Sequence, residues 1–387
     1  MHVKWQNALL GEVASIERES VQPNDIAPAT IYVGLEHIEK GGAFLNPPRI
    51  QPGTLASSKF RFTHRQILYG KLRPYLAKIA CPDFEGVCST DILPIMPGER
   101  LDRRFLLHYL RQPSLVNYAN SLAVGINLPR LSPSALETFS IPLPPIAEQR
   151  RIADILDRAE SLRAKRRAAL AQFDTLTQSI FIDMFGDPVT NPRRWDRQSL
   201  LEACRPYGGA TPSTQVAAYW SGDTPWFSAK DIKRDDLFDA ADHVSESVFK
   251  STNLKLLPAG TVVIVVRGMI LAHTFRVSVV RVPATINQDL RALLPRQTLD
   301  GQFLAACLRA QASLALQLVS AAAHGTKRLD SDGLSQLHVL LPPHSIQQSF
   351  ARRVAAVEQL KSSHRESLAK LDELFASLQH RAFRREL

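Results

Sequence analysis

Cysteine is scarce. Cys81, Cys88, Cys204 and Cys307 are scattered through 387 residues, with no Cys-x-x-Cys and no His pair at zinc spacing beside them. That argues against a disulfide framework or a structural metal and leaves small buried thiols as the expectation. Long apolar runs are missing too, and nothing approaches the ~18 residues of a membrane span. The start, Met1-His2-Val3-Lys4-Trp5-Gln6-Asn7, has no basic stretch followed by an apolar one, so a cytoplasmic chain without membrane contact is expected. No Gly-x-x-x-x-Gly-Lys-Ser/Thr occurs, which argues against a motor ATPase, and no glycine-rich strand-to-helix turn offers a place for a nucleotide-like cofactor. Asn46-Pro47-Pro48-Arg49 comes nearest to a catalytic motif. In amino-methyltransferases the fourth position is an aromatic that stacks on a flipped base, and Arg49 occupies that place here. The eleven histidines form no pair at helical metal spacing. No cofactor, no metal and no catalytic set are therefore expected.

Acidic residues are outnumbered, 37 against 47 Lys and Arg, and the formal charge of +10 points to a polyanionic partner. The length suits two ordinary domains, and 45% hydrophobic residues is the content of a folded protein. The dominant feature is a repeat. Residues 143–185 reappear without a gap as residues 341–383, from Leu143-Pro144-Pro145 and Leu341-Pro342-Pro343 onward. Roughly 14 of the 43 aligned positions are identical where chance gives about three, which marks an internal duplication.

Each copy reads as one long helix of about 38 residues, about 57 Å at 1.5 Å per residue. Apolar residues at three- and four-residue steps predict a seam through Ile152, Leu162, Phe173 and Leu176 in the first copy, interrupted by Arg166. In the second copy the seam is expected through Val357, Leu360, Leu371 and Leu374. Two such seams in one chain can cover each other, and two equivalent units would run them antiparallel.

The segments before the helices echo each other more weakly. Tyr32-Val33-Gly34-Leu35-Glu36-His37-Ile38 aligns with Trp226-Phe227-Ser228-Ala229-Lys230-Asp231-Ile232. Strand-like runs at Ile67-Leu68-Tyr69 and at Thr261-Val262-Val263-Ile264-Val265-Val266, with Pro and Gly turns, make each module α+β. Short helical patterns follow, to Leu122 and to Ala323. Cations gather near the turns. In the first module Lys59, Arg61, Lys71, Arg73 and Tyr75 are the candidate nucleic-acid contacts, and in the second Ser228, Lys230, Arg267, His273, Lys327 and Arg328.

From Leu143-Pro144-Pro145-Ile146-Ala147-Glu148-Gln149-Arg150-Arg151-Ile152 through Phe185-Gly186-Asp187-Pro188, the chain closely resembles the specificity subunit of type I restriction-modification enzymes. Gly70-Lys71-Leu72-Arg73-Pro74-Tyr75-Leu76 and Gly208-Gly209-Ala210-Thr211-Pro212-Ser213 support the match, and Pro-Pro-x-x-x-Gln followed by a long helix occurs twice. The resemblance implies target-recognition domains at 1–145 and 188–343, and long helices at 146–187 and 344–387 that form an antiparallel coiled coil. It also implies a bipartite, asymmetric site on double-stranded DNA, two methyltransferase subunits docked around the helices, endonuclease/translocase subunits that join them, and no chemistry in this chain. The alternative is the recognition subunit of a related restriction system whose partner fuses methyltransferase and nuclease.

Overall fold

The computed structural model describes residues 5–51, 53–296, 298–321, 325–384 and 386–387. Met1 to Lys4 and the expected helix end at Ala323 lie outside the described residues. The architecture is α+β, and the chain divides into two compact units, Met1–Arg166 with Ser367–Leu387, and Arg167–Glu366. The first unit is assembled from two separate stretches of chain, and the second is one continuous stretch. No helix among the described residues is long and apolar enough to cross a membrane.

In the first unit an antiparallel sheet runs in the order Ala14–Ile16, Ile92–Pro97, Ile67–Gly70, Ile79–Ala80. A second sheet runs Ser20–Val21, Lys59–Phe62, Gly86–Cys88, Ile31–Val33, its last pair parallel with Val33 opposite Cys88. The second unit repeats the plan. Its larger sheet is Cys204–Gly208, Leu290–Pro295, Val262–Val265, Val277–Val280, Asp236–Leu237, and its smaller one places Phe227 parallel to Ile286. Val33 and Phe227, matched in the sequence echo, thus occupy equivalent parallel pairs. Strands such as Val262–Val265 are buried at every position, which is why they read as unbroken β-branched runs rather than alternating ones. The cysteines are free thiols, with Cys88, Cys204 and Cys307 buried, and burial pushes the half-buried Cys81 thiol up to about 11.

The Pro-Pro-x-x-x-Gln motif is a joint. Pro144 and Pro145 follow the strand Ser140–Leu143, and the helix Ile146–Phe185 begins at once. Gln149, fully buried, donates from Nε2 to the carbonyls of Pro144 and Arg100, each at 2.9 Å, and accepts from the Asp102 amide at 2.8 Å. Asp102 in turn caps the helix Arg103–Leu110 by accepting from the amides of Arg104 and Phe105. The second copy repeats this: Gln347 donates to Pro342 and accepts from Asp300, which caps Gly301–Ala310. One buried amide side chain therefore ties the start of each long helix to the cap of a module helix.

The two long helices, Ile146–Phe185 and His344–Phe383, have 40 residues each, about 60 Å. Within the first unit their segments run antiparallel. Arg151 Nη2 donates to the Leu387 carbonyl at 3.1 Å, while Arg163 meets Asp372 at 2.6 Å and lies over the Phe375 ring at 4.3 Å. In the second unit Phe173 stacks edge-on against His364, and Lys361 pairs with Asp174 at 2.8 Å and Glu358 at 2.7 Å. Phe181, Phe185, Phe303 and Phe350 form an aromatic knot there.

The contact line differs from the expected seam at half its positions. Ile152 and Val357 are buried, and Phe173 and Leu371 are partly so. Leu162, Leu176, Leu360 and Leu374 are 38–53% exposed and lie one position off the line. The line instead runs through Leu156, Ala159, Arg163, Arg166, Leu170, Phe173 and Thr177, and through Val354, Val357, Lys361, His364, Leu368, Leu371 and Phe375. It keeps the alternating three- and four-residue steps. Polar side chains sit on it, so a reading that follows apolar residues slips by one.

Candidate nucleic-acid interface

In the first unit the turn after Ile67–Gly70 is bonded to a second loop. The Arg73 amide donates to the Pro129 carbonyl at 2.7 Å, and the Leu131 amide to the Lys71 carbonyl at 2.9 Å. Val124 and Arg130 exchange both amide-to-carbonyl bonds, at 3.0 and 2.9 Å, closing the loop between them. Gly125 takes φ of 118°, a region that L side chains rarely enter. Arg73 itself is left-handed, at φ 51°, which costs a non-glycine residue about 1–3 kcal/mol and persists only where surrounding bonds impose it. Asp91 holds this corner. Its carboxylate takes Arg130 in a fork at 2.9 and 3.2 Å and stands 4.0 Å from the Lys71 ammonium. Arg73 and Tyr75 point outward, with Tyr75 48% exposed. Arg130, absent from the sequence expectations, joins Lys71, Arg73 and Tyr75 here. Arg61 lies apart on the second sheet, exposed and paired with Glu19 at 3.0 Å.

The second unit carries the same connection. The Gly268 amide donates to the Lys327 carbonyl at 3.0 Å, the Leu329 amide to Val266 at 2.9 Å, and Arg267 bridges Arg328. Gly268, at φ 130°, stands where the first unit has strained Arg73. The Lys71 amide bonds the Asp91 carbonyl, and the Val266 amide bonds that of Asp289. Arg267, Arg328 and His273 are exposed and Lys327 is half-buried. Arg291 completes the cluster. Its pKa is held below the usual arginine value first by burial and then by the guanidiniums of Arg328 and Arg267, so positive charge is crowded here. The sequence offered no signal for Arg291, which sits on the strand Leu290–Pro295 and reaches the cluster only through the fold. Lys230 lies elsewhere, exposed and bonded to Asp242 at 2.7 Å.

Two expected contacts face inward. Lys59 is 6% exposed, its ammonium donates to the carbonyl and hydroxyl of Ser57 at 2.7 Å, and burial lowers its pKa. Ser228 is also buried, with amide and hydroxyl both bonded to Asp231. Each is used up by its own turn. Basic neighbours in sequence were the signal for Lys59, but alternation along its strand sends adjacent side chains to opposite faces.

The family model for the type I restriction modification DNA specificity domain matches residues 2–172 and 192–373. The type I restriction enzyme EcoDI specificity subunit of Escherichia coli is 30% identical over 202 residues, 51% of this chain and 45% of that protein. The EcoR124I/EcoR124II specificity subunit of Escherichia coli is 27% identical over 230 residues, 59% of this chain and 56% of that protein. The chain thus spans about half the length of the curated relatives it matches. A solved chain, from work on complex assembly and conformational transition of the type I R-M system, shares the fold with a TM-score of 0.61, at 24% identity over 99% of this chain and 98% of that one.

Proposed function

The chain belongs to the type I restriction modification DNA specificity domain family, and from that membership we propose that it is the DNA-reading subunit of a type I restriction-modification complex. The observation that carries this reading is the duplicated bonded turn, ringed by Lys71, Arg73 and Arg130 in one unit and by Arg267, Arg291 and Arg328 in the other. Backbone staples fix two loops in place, and cations around them suit phosphate contacts that position a groove-reading tip. In this reading the recognition domains are residues 1–145 and 188–343. Tyr75, His273 and Lys327 join the two rings, Arg61 and Lys230 contact the duplex away from them, and the chain performs no chemistry of its own in the cytoplasm.

The partners in this reading are double-stranded DNA, two methyltransferase subunits docked on the long helices, and endonuclease/translocase subunits that join them. The strand-by-strand likeness of the modules coexists with different side chains at the turns, Arg73-Pro74-Tyr75 against Gly268-Met269-Ile270. Two different half-sites, and hence an asymmetric target, are the consequence. Methylome sequencing of a host carrying this chain and its methyltransferase tests it. The expected result is one bipartite motif, and grafting another module over residues 188–340 should change one half only. A graft that alters both halves, or a host with no new methylation, would contradict the reading.

A further inference from the structure

The loop closed by Val124 and Arg130 carries an apolar tip into solvent. Val124 is 80% exposed, Ile126 100% and Leu128 46%, and no other large hydrophobic residue among the described ones is as bare as Ile126. Such exposure opposes the tendency of apolar surface to leave water. A floppy loop could fold the tip inward, but this one is pinned at both ends: by the reciprocal bonds of Val124 and Arg130, by Arg73 to Pro129, and by Leu131 to Lys71. Its base is cationic. Arg73 Nη2 stands 3.5 Å from the Asn127 carbonyl, and Arg130 and Lys71 flank it around Asp91. In the second unit exposed apolar side chains lie on the other loop of the connection, where Met269 is 63% and Ile270 38% exposed beside Arg267 and Arg328.

We propose that this tip enters the major groove of the bound duplex and that Ile126 packs on a thymine methyl group, which makes it a specificity-determining residue of the first module. The inference rests on the DNA-reading function proposed above and adds a residue and its target atom. A rigid apolar point ringed by cations matches a surface whose rim is phosphate and whose floor is base edges. On that floor the thymine C5-methyl is the one apolar group that distinguishes a base pair. Lys71, Arg73 and Arg130 then position the loop, and Ile126 reads.

The test uses the full chain and a random-sequence pool of DNA duplexes. Wild type should enrich a bipartite motif, and Ile126→Ser and Ile126→Gly should each lose the preference at one T·A pair of one half-site. The untouched half-site reports that the variant is folded. Replacing that thymine by deoxyuridine removes only the methyl, and should weaken wild-type binding about fourfold, the worth of one buried apolar carbon, while leaving Ile126→Ser unaffected. A motif unchanged in both variants overturns the proposal and points to a protein occupant for the tip. Lost preference that ignores deoxyuridine overturns it in favour of a wedge between base pairs. Wild type that enriches nothing removes the DNA-reading function together with it, whereas the other two outcomes leave that function standing.

Discussion

At the scale of single residues, the two glutamines of the repeated joint do more than their chemistry suggests. Gln149 satisfies two carbonyls and one amide at a place from which water is excluded, and Gln347 does the same for Pro342 and Asp300. Replacing Gln149 with Ala should strand those groups at about 1–3 kcal/mol for each that water cannot reach. Urea unfolding should show the loss, and stability within about 0.5 kcal/mol of wild type, the range of ordinary surface changes, would show that the joint is not held this way. Asp157 sets a pH dependence. Burial raises its pKa, but hydrogen bonds and charge from His108 and Arg104 outweigh that and hold it below the ordinary aspartate value near 3.9. A depressed carboxylate contributes stability that is fully present above the ordinary value and is lost as pH falls through the lower folded one. Stability should therefore drop as the medium is taken below about pH 4, and Asp157→Asn should flatten that part of the profile. Residue types alone pointed to Lys71, Arg73, Arg267 and Arg328. They also pointed to Lys59 and Ser228, which face inward, and gave no sign that Arg130 and Arg291 stand beside the first four, because that placement depends on pairings between distant segments.

At the scale of elements, the long helices show what periodicity can and cannot convey. Their extents were legible, since Pro-Pro marks each start and no Gly or Pro follows until Gly186 in the first copy. Their facing line was half legible. Leu162, Leu176, Leu360 and Leu374 attract an apolar count, yet the line passes through Arg163, Thr177 and Lys361 beside them. The charged ones among them belong to a duplicated set. Arg163 and Lys361 are equivalent in the repeat, as are Asp174 and Asp372, and the bonds observed are Arg163 to Asp372 and Lys361 to Asp174. Polar pairs on a seam specify register at some expense of stability. Lys361→Met should leave stability within about 1 kcal/mol of wild type or raise it, because a desolvated ammonium is replaced by an apolar chain. Removing both acids, Asp174→Ala with Glu358→Ala, should cost about 3 kcal/mol by leaving that ammonium without a partner. The reverse order in urea unfolding would mean that the pair is a net source of stability.

At the scale of the whole molecule, the duplication makes each helix a carrier of both charges. Residues 1–187 alone hold Arg163 and Asp174, the counterparts of Lys361 and Asp372. Two such half-chains laid antiparallel would form the same bond twice, so a half-chain of residues 1–187 is expected to dimerise. Sedimentation should show the dimer, Arg163→Asp should weaken it, and Arg163→Asp with Asp174→Arg should restore it. A half-chain that stays monomeric at tens of micromolar would count against the equivalence of the two bonds. The interleaving of the chain also has a temporal side. Phe383 packs on Phe105 and Tyr109 at 5.3 and 5.1 Å between ring centres, so the first unit is closed by residues separated from the rest of it by the stretch Arg167–Glu366. At ~5–20 residues per second the ribosome needs about 10–40 s to cross those roughly 200 residues. Throughout that interval the nascent first unit holds an open apolar face, and a slow codon or a stall within the second module lengthens the exposure of the first.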